Sequence, residues 1–579
     1  MKPAPRRWLV ADVQPLAGFH PVVGSVLAAR GYDAATAAEF LDPSASGHDP
    51  FDLPDMSAAV SVVREAIRDG QLIGVYGDYD ADGVTACAML TRALRAGGAQ
   101  VLPYIPNRMT EGYGLHASAL EELAAQGVSC VITVDCGTSS VDVAAGRPAG
   151  MRLIVTDHHL PLSPGDGPPH LAGADALINP KLADSRYPFD GLAGAGVAFK
   201  LVQALEEASI IPAASSADAA ALAALGTVAD MMPLRGENRV IVRNGLSGLD
   251  ALLGIRALCE VSALTLPLCA ADVAFALGPR INAAGRMEDA RLALQLCLSE
   301  DPDEARDLAA QLDLQNRQRQ QAVSEALVAA EAQVAEIDED APAIVVGDPD
   351  WPMGVVGLVA GRLTERYARP AFAVCLDPGE AKGSARSIRG VHIVRALDRA
   401  SAALTRYGGH AAAAGFSLDA SRFDEFRDLV SAAVTEQLGE SPRERVFAID
   451  SQISAADANP ELCRNLALLE PCGQGNPEPL LAVVGARVLS ASAFGADSQH
   501  ARVVLSTGSA VLEAVAFYKP QLAAHLPRGR IIDAAFGLEL DTWQGQDRVR
   551  ARLRDIRPSR SAMPSEHISG SAVPAALSA

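Results

Sequence analysis

The sequence predicts an α/β protein: a doubly wound parallel sheet domain, a long connecting helix, a second α/β domain and a C-terminal β-barrel. Three observations carry that reading. First, β-prone apolar runs end in acids or histidines. Residues 72–76 stop at Gly77-Asp78-Tyr79-Asp80-Ala81-Asp82-Gly83, residues 128–134 at Asp135-Cys136-Gly137, and residues 152–156 at Asp157-His158-His159. Second, such runs alternate with segments of helical spacing such as 84–94, the pattern of a parallel sheet covered on both faces. Third, after Ser441-Pro442 the chain changes to short strands between turn residues, as in an all-β barrel or sandwich.

At 579 residues the chain is too long for one core, and the usual scale of roughly 100–200 residues per domain gives about three or four domains. Lys and Arg number 49 against 70 Asp and Glu, a net charge of −21, so a nucleic-acid role would need local basic surfaces. The apolar stretch at the N-terminus is broken by Asp12, too short for a secretory leader. No run of about 18 uncharged apolar residues is present, so no membrane span is expected. Nine cysteines are scattered singly without a CxxC pair, which reads as reduced thiols of a cytoplasmic protein rather than a thiolate metal site.

In chain order, residues 1–290 read as a first domain whose opening 70 or so residues are a helical lead-in without visible chemistry. Pro103 makes 99–105 an edge strand or an irregular one. Asp230 closes the apolar stretch 222–232, where helix and strand are hard to separate, and 278–287 (GPRINAAGRM) reads as a loop. Residues 291–340 form the connecting segment, whose polar stretch 315–321 suggests a spacer with a wet middle. Residues 341–440 are the second α/β domain and 441–557 the β-barrel. Residues 558–579, rich in Ser, Ala and Pro, are expected to be disordered.

Collected at strand ends, Asp78, Asp80, Asp82, Asp135, His158 and Asp230 offer a mainly oxygen donor set. Such a set suits two divalent cations, manganese or magnesium, which together activate water against a phosphate. Asp135 is the candidate bridging carboxylate. Asp78 is a ligand or a supporting group; His159 is a ligand, a phosphate contact or a proton donor; Asp157 orients a neighbouring imidazole. Arg108, Arg280, Arg286 and Arg386, with Ser384 beside the last, could fork onto phosphate. His410, among Gly and Ala, fits either tight backbone packing or a functional imidazole. Residues 548–554 alternate strictly, sending four arginines including Arg550 and Arg552 to one face. That row is either a protected edge or a phosphate-backbone contact, with Phe494, Phe517, Tyr518 and Trp543 as possible stacking rings.

GDYDADG, VDCG, TDHH and VADMMPL together resemble the four metal motifs of the DHH phosphoesterase superfamily. EGYGL, LGPRINAAGRM, the GSARS loop, GGHAAAAGF and GQGNPEP are similar to those of its single-strand-specific exonuclease branch, over roughly residues 70–557. Cys472 stands where an aromatic would be usual, which bears only on local packing. The resemblance implies a DHH domain, a DHH-associated domain and an OB-like barrel. It implies metal ligands at Asp80, Asp82, Asp135, His158 and Asp230, and terminal-phosphate binding by Arg108, Arg280, Ser384 and Arg386. His410 and Asn282 would contact substrate, and Asp82, Asp135, Asp157 and His159 would serve catalysis. The implied activity is metal-dependent hydrolysis of single-stranded DNA from the 5′ end by a cytoplasmic monomer working with a repair helicase and a single-strand-binding protein. The alternatives are a phosphodiesterase for short oligonucleotides or cyclic dinucleotides, and an inactive single-strand-binding protein.

Overall fold

The computed structural model describes residues 1–4, 6–108, 110–163, 168–438, 445–543 and 546–559. The proposed disordered tail therefore lies almost wholly outside the described residues. The chain forms two compact units. One contains Gly47–Met232 and Glu237–Arg445 with the first few residues; the other contains Arg6–Ser46, Pro233–Gly236 and the chain from Val446 on.

The first unit opens with a sheet of β1 (Leu72–Gly77), β2 (Gln100–Tyr104), β3 (Val128–Val134), β4 (Arg152–Thr156) and β5 (Ala176–Ile178). All neighbours are parallel, in the order β2-β1-β3-β4-β5. Pro103 sits on edge strand β2, opposite Val75, where its missing N–H breaks no inner ladder. Helix α1 (Ala81–Ala96) starts immediately after β1 and is buried nearly all round; α2 (Gly194–Glu207) and α3 (Ser215–Ala229) pack against it.

Two expectations about this region change. Asp230 follows α3 and so terminates a helix rather than a strand. Residues 278–287 form helix α4 (Gly278–Met287), entered through a single π-helical turn, Val273–Leu277. The two glycines and Pro279 suggested a loop, but Pro is favourable in a helix's first turn and the glycines are used for close packing.

The long helix α5 (Pro302–Glu336) is capped by Asp301, whose Oδ1 accepts from the amides of Asp303 and Glu304; Arg291–Leu298 is a separate short helix before it. Its polar middle is wet on one side only, where Arg317, Gln318, Gln320 and Gln321 are exposed. Asp313, Gln315 and Asn316 are buried, each with a polar partner contributed by a neighbouring helix or the next turn.

Next come β6 (Ile344–Asp348), α6 (Met353–Tyr367), β7 (Ala371–Cys375), β8 (Glu380–Arg386), β9 (Leu404–Gly409) and β10 (Ala413–Asp419). They build a second, mixed sheet in the order β9-β10-β8-β7-β6.

In the second unit β11 (Leu481–Phe494), β12 (His500–Thr507), β13 (Ala510–Ala516), β14 (Ile531–Trp543) and β15 (Gln546–Pro558) pair in the order 11-12-13-15-14, and β14 pairs back with β11. That is a closed five-stranded barrel without a free edge. Residues 6–46 belong here, not with the first domain. Val23, Val26, Leu27 and Ala37 share one apolar cluster with Leu462, Leu481, Val503 and Phe536, and Arg6–Val10 is a strand paired with Arg445–Ile449.

Candidate metal centre

In the order 2-1-3-4-5 the connections diverge to either side of the gap between β1 and β3, the position where open parallel sheets bind ligands beyond their carboxyl ends. Asp78, Asp80 and Asp82 follow β1, Asp135 follows β3, and Asp157, His158 and His159 follow β4. Asp135 adopts φ 63°, the left-handed region that Asp tolerates better than most residues, while its amide donates to Thr156 O (3.0 Å).

Three sets of donor atoms converge, each within 4.8 Å: Asp78, Asp80 and Asp135; Asp135, His158 and His159; Asp82, His158 and Asp230. Asp135 and His158 each belong to two of the sets. Burial and the charge of Asp80 push Asp78 well above the usual carboxylate range. Burial and the charges of Asp82, Asp80 and Asp230 do the same to Asp135, and burial with Asp82 and Asp80 to Asp230. Asp82 rises to about 7 from burial and the charge of Asp80, even though both its oxygens accept amides at the start of α2: Gly194 N at 2.7 Å and Ala195 N at 2.8 Å. That approach needs Gly194, because a Cβ there would sit 2.5 Å from the Asp135 carboxylate.

The donor set fits a cation. His158 Nδ1 lies 3.0 Å from Leu192 O, which can only accept, so Nδ1 carries the proton. Burial and the neighbouring His159 lower the ring's pKa to about 3, leaving it neutral. Its bare Nε2 then faces Asp135 Oδ1 at 3.1 Å and Asp230 Oδ2 at 3.7 Å, lone pair against lone pair. Buried Asp78 Oδ1 and Asp135 Oδ1 accordingly have no hydrogen-bond donor. An ion among these atoms would relieve both contacts and give the two oxygens a partner, and the Leu192 carbonyl is the outer partner a ligating imidazole needs.

Asp157 plays a different part. Its Oδ1 accepts from His158 N (2.7 Å), His159 N (3.1 Å) and His159 Nδ1 (2.8 Å), and its Oδ2 from Thr138 N (2.9 Å). These bonds outweigh burial and hold its pKa below the ordinary range. Burial lowers the His159 pKa, but the Asp157 hydrogen bond and the charges of Asp157, Asp80 and Asp82 leave it raised overall.

A cavity of about 360 Å³ opens over the carboxylates, lined among others by Arg108, Tyr113, His159, Asn282 and Arg286. Asn282 Oδ1 accepts from Ala81 N (2.9 Å), so it fixes the first turn of α1 as well as facing the cavity. Arg108 lies over the Tyr79 ring at 5.0 Å. Helices α4 and α6 meet without side chains between them: a Cβ on Gly354 would stand 2.4 Å from Arg286 O. Further along α6, Gly357 backs onto Ser384 and Arg386, whose Nη1 donates to Ser384 Oγ (3.0 Å).

Family models match in sequence along the chain: the DHH family N-terminal domain over residues 72–227, the DHHA1 domain over 340–436 and the RecJ OB domain over 449–555. The single-stranded-DNA-specific exonuclease RecJ of Bacillus subtilis is 36% identical over 547 residues, covering 93% of this chain and 68% of that protein. The chain belongs to the RecJ family. Two solved RecJ structures from Thermus thermophilus, in complex with Mn²⁺ and with Mg²⁺, superpose with TM-scores of 0.81 and 0.76 at 34% and 32% identity. Both cover 98% of this chain and about four fifths of theirs (81% and 80%).

Within this RecJ-family chain some expected site residues stand elsewhere. Arg280 is taken up by α5, with Nε and Nη2 on Asp313 (3.0 and 2.9 Å) and Nη1 on Ala276 O, and it does not line the cavity. Arg286, six residues further along the same helix, does, although the resemblance did not point to it. His410 is exposed in the turn between β9 and β10, its amide bonded to Ala413 O. The arginine row of β15 already has counter-charges: Arg550 pairs with Asp541, Arg552 with Glu539 (3.4 Å) and Arg554 with Glu478. Phe494, Phe517 and Tyr518 surround His500, with ring centroids 4.9–5.4 Å from it; the Trp543 side chain lies outside the described residues. Sequence reasoning missed Asn179 and Lys181. Asn179, at the end of β5, donates to Thr138 Oγ1 (2.9 Å) and His159 O (2.8 Å), and its position after a fifth apolar strand was the available signal.

Proposed function

We propose that this RecJ-family protein is a metal-dependent exonuclease that hydrolyses single-stranded DNA from its 5′ end to mononucleotides. The observation that supports this most is the set of buried carboxylate oxygens without donors around a neutral His158, beside a cavity walled by arginines. Two divalent ions, manganese or magnesium, would polarise the scissile phosphate and acidify the attacking water there.

The chain's own residues do the rest. Asp78, Asp80, Asp82, Asp135, His158 and Asp230 would hold the ions, with Asp82 fixed by two α2 amides and His158 by Leu192 O. Asp157 orients His159, whose raised pKa equips it to give a proton to the departing 3′ oxygen. Arg108, Arg286, Ser384 and Arg386 bind the terminal 5′ phosphate and so set polarity. The His500 ring cluster, with Arg502 over Phe494 (5.4 Å) and Arg552 over Phe517 (5.5 Å), gives the strand a second grip by stacking. The protein works in the cytoplasm as a monomer, alongside a repair helicase and a single-strand-binding protein. Among the described residues, no helix is long and apolar enough to cross a membrane.

Digestion of a long single strand labelled separately at each end tests this. Metal-dependent release of mononucleotides from the 5′ label alone, with a blunt duplex untouched, is the expected result. Hydrolysis of only di- to tetranucleotides would instead identify a small-substrate phosphodiesterase.

A further inference from the structure

Asn179, 0% exposed, follows β5, whose Ile178 stands opposite Thr156 of β4. Its amide is fully used. Nδ2 donates to Thr138 Oγ1 (2.9 Å), in the loop after β3, and to His159 O (2.8 Å), in the loop after β4, while Oδ1 accepts from Lys181 N (2.9 Å). His159 O can only accept, so the orientation of the amide is fixed. The main chain and one ring nitrogen of His159 are thereby held from behind. Asp157 Oδ1 accepts from its N–H (3.1 Å) and from Nδ1 (2.8 Å), Tyr113 OH lies 3.0 Å from the same Nδ1, and Asn179 takes the carbonyl. That leaves Nε2 of a residue that lines the cavity. Thr138 N donates to Asp157 Oδ2 (2.9 Å), so Asn179 steadies Asp157 through Thr138 as well. The carboxylate and imidazole of the donor set are fixed from another direction: Asp82 by Gly194 N and Ala195 N, and the His158 ring by Leu192 O.

We propose that Asn179 is a positioning residue for the proton donor: it sets His159 so that Nε2 meets the departing 3′ oxygen, and it takes no part in holding the ions. This rests on the exonuclease reading above. In that reaction the oxygen of water bonds to phosphorus and the P–O3′ bond breaks with its electron pair on the 3′ oxygen. The His159 proton goes to that oxygen, and the proton lost by the water returns to the imidazole through solvent. Without Asn179 the His159 carbonyl loses its buried donor and turns toward another one, which carries the ring with it. The bonds that fix Asp82 and the His158 ring contain no atom of Asn179 and stay as they are.

The test compares two single strands that differ in one atom, the bridging 3′ oxygen of the first linkage or a sulfur in its place. A thiol ionises near about 8.5, so sulfur departs as thiolate without needing a proton. Asn179→Ala removes the side chain, and Asn179→Asp keeps its volume but lacks both donors. On the oxygen linkage each should lower kcat about ten- to a hundred-fold and leave KM within about three-fold. On the sulfur linkage the loss should shrink to about three-fold or less, as should the larger loss in His159→Ala. Manganese counted by equilibrium dialysis should match the unmodified protein. The oxygen-to-sulfur ratio is taken within each variant, so a partly unfolded sample does not mimic the effect. A loss of equal size on both linkages, a loss confined to KM, or a lower manganese count, with His159→Ala still rescued by sulfur, overturns the positioning role and leaves the exonuclease reading standing. A His159→Ala loss that sulfur does not rescue overturns the proton donor and the role of Asn179 with it. Failure of the unmodified protein to cleave either linkage overturns the exonuclease reading itself.

Discussion

Two stretches of this chain place like charges at every second position, and the fold treats them in opposite ways. On β15 three of the four arginines have acid partners: Arg550 and Arg552 meet Asp541 and Glu539 across the ladder, and Arg554 meets Glu478 from the loop before β11, so most of the row is balanced. After β1 the three aspartates meet Asp135 and Asp230, and two buried oxygens, Asp78 Oδ1 and Asp135 Oδ1, have no donor. A charge pattern in sequence is therefore silent until the neighbours are known. A compensated row is a surface feature worth little individually, whereas an uncompensated buried cluster is retained only for a ligand that completes it.

The largest test of that contrast is Asp135→Asn. Loss of the shared carboxylate should lower kcat at least about 10³-fold, on the order of 4 kcal/mol of transition-state stabilisation. Single-strand binding in a gel shift should remain. The same substitution should raise the melting temperature of the metal-free protein, because it removes one of several mutually repelling buried carboxylates.

Metal removal comes next. Manganese at a hundred-fold excess over its Kd should stabilise the protein by about 3 kcal/mol per strong site, and chelation should reverse this in a thermal melt. The pH dependence has a definite sign. Asp82, at about 7 in the fold, is raised above its unfolded value near 4, so between those values the folded state binds more protons than the unfolded state. Stability of the metal-free protein should fall as pH rises from 4 through 7, and saturating manganese, competing with those protons, should flatten the trend.

A smaller effect separates two arginines of one helix, six residues apart. Arg286→Gln should erase the preference for a 5′-phosphate over a 5′-hydroxyl end, about ten- to a hundred-fold in kcat/KM. Arg280→Gln should act through stability instead, by leaving buried Asp313 with only Arg317, and should preserve the preference between ends. Smallest of all, Arg550→Ala with Arg552→Ala should weaken single-strand affinity by no more than about three-fold, since each arginine already has an acid partner.

Most of the centre was legible because strand ends and acids coincide in the sequence: the runs before Asp78, Asp135 and Asp157 are continuous apolar strands, and their order of convergence follows from a parallel sheet. What was not legible depends on contacts between distant segments. The sequence of 278–287 could not show that Gly285 seats a helix against Tyr79, nor that Arg280 pairs with Asp313 while Arg286 faces the cavity. In the polar middle of α5 the buried side could not be told from the solvated one, because the partners of Asp313, Gln315 and Asn316 are set by packing, not by local pattern. Residues 6–46 carry no barrel signature, and only their shared apolar cluster ties Val23 and Leu27 to Phe536.

The central claim is that the uncompensated carboxylates exist to hold paired divalent ions. Manganese stoichiometry by equilibrium dialysis tests it most directly. Two ions per chain in the unmodified protein, falling to one or none with Asp135→Asn while the Arg550→Ala, Arg552→Ala double variant still binds two, is the expected result. Binding that is absent in the unmodified protein, or unaltered by Asp135→Asn, would contradict it.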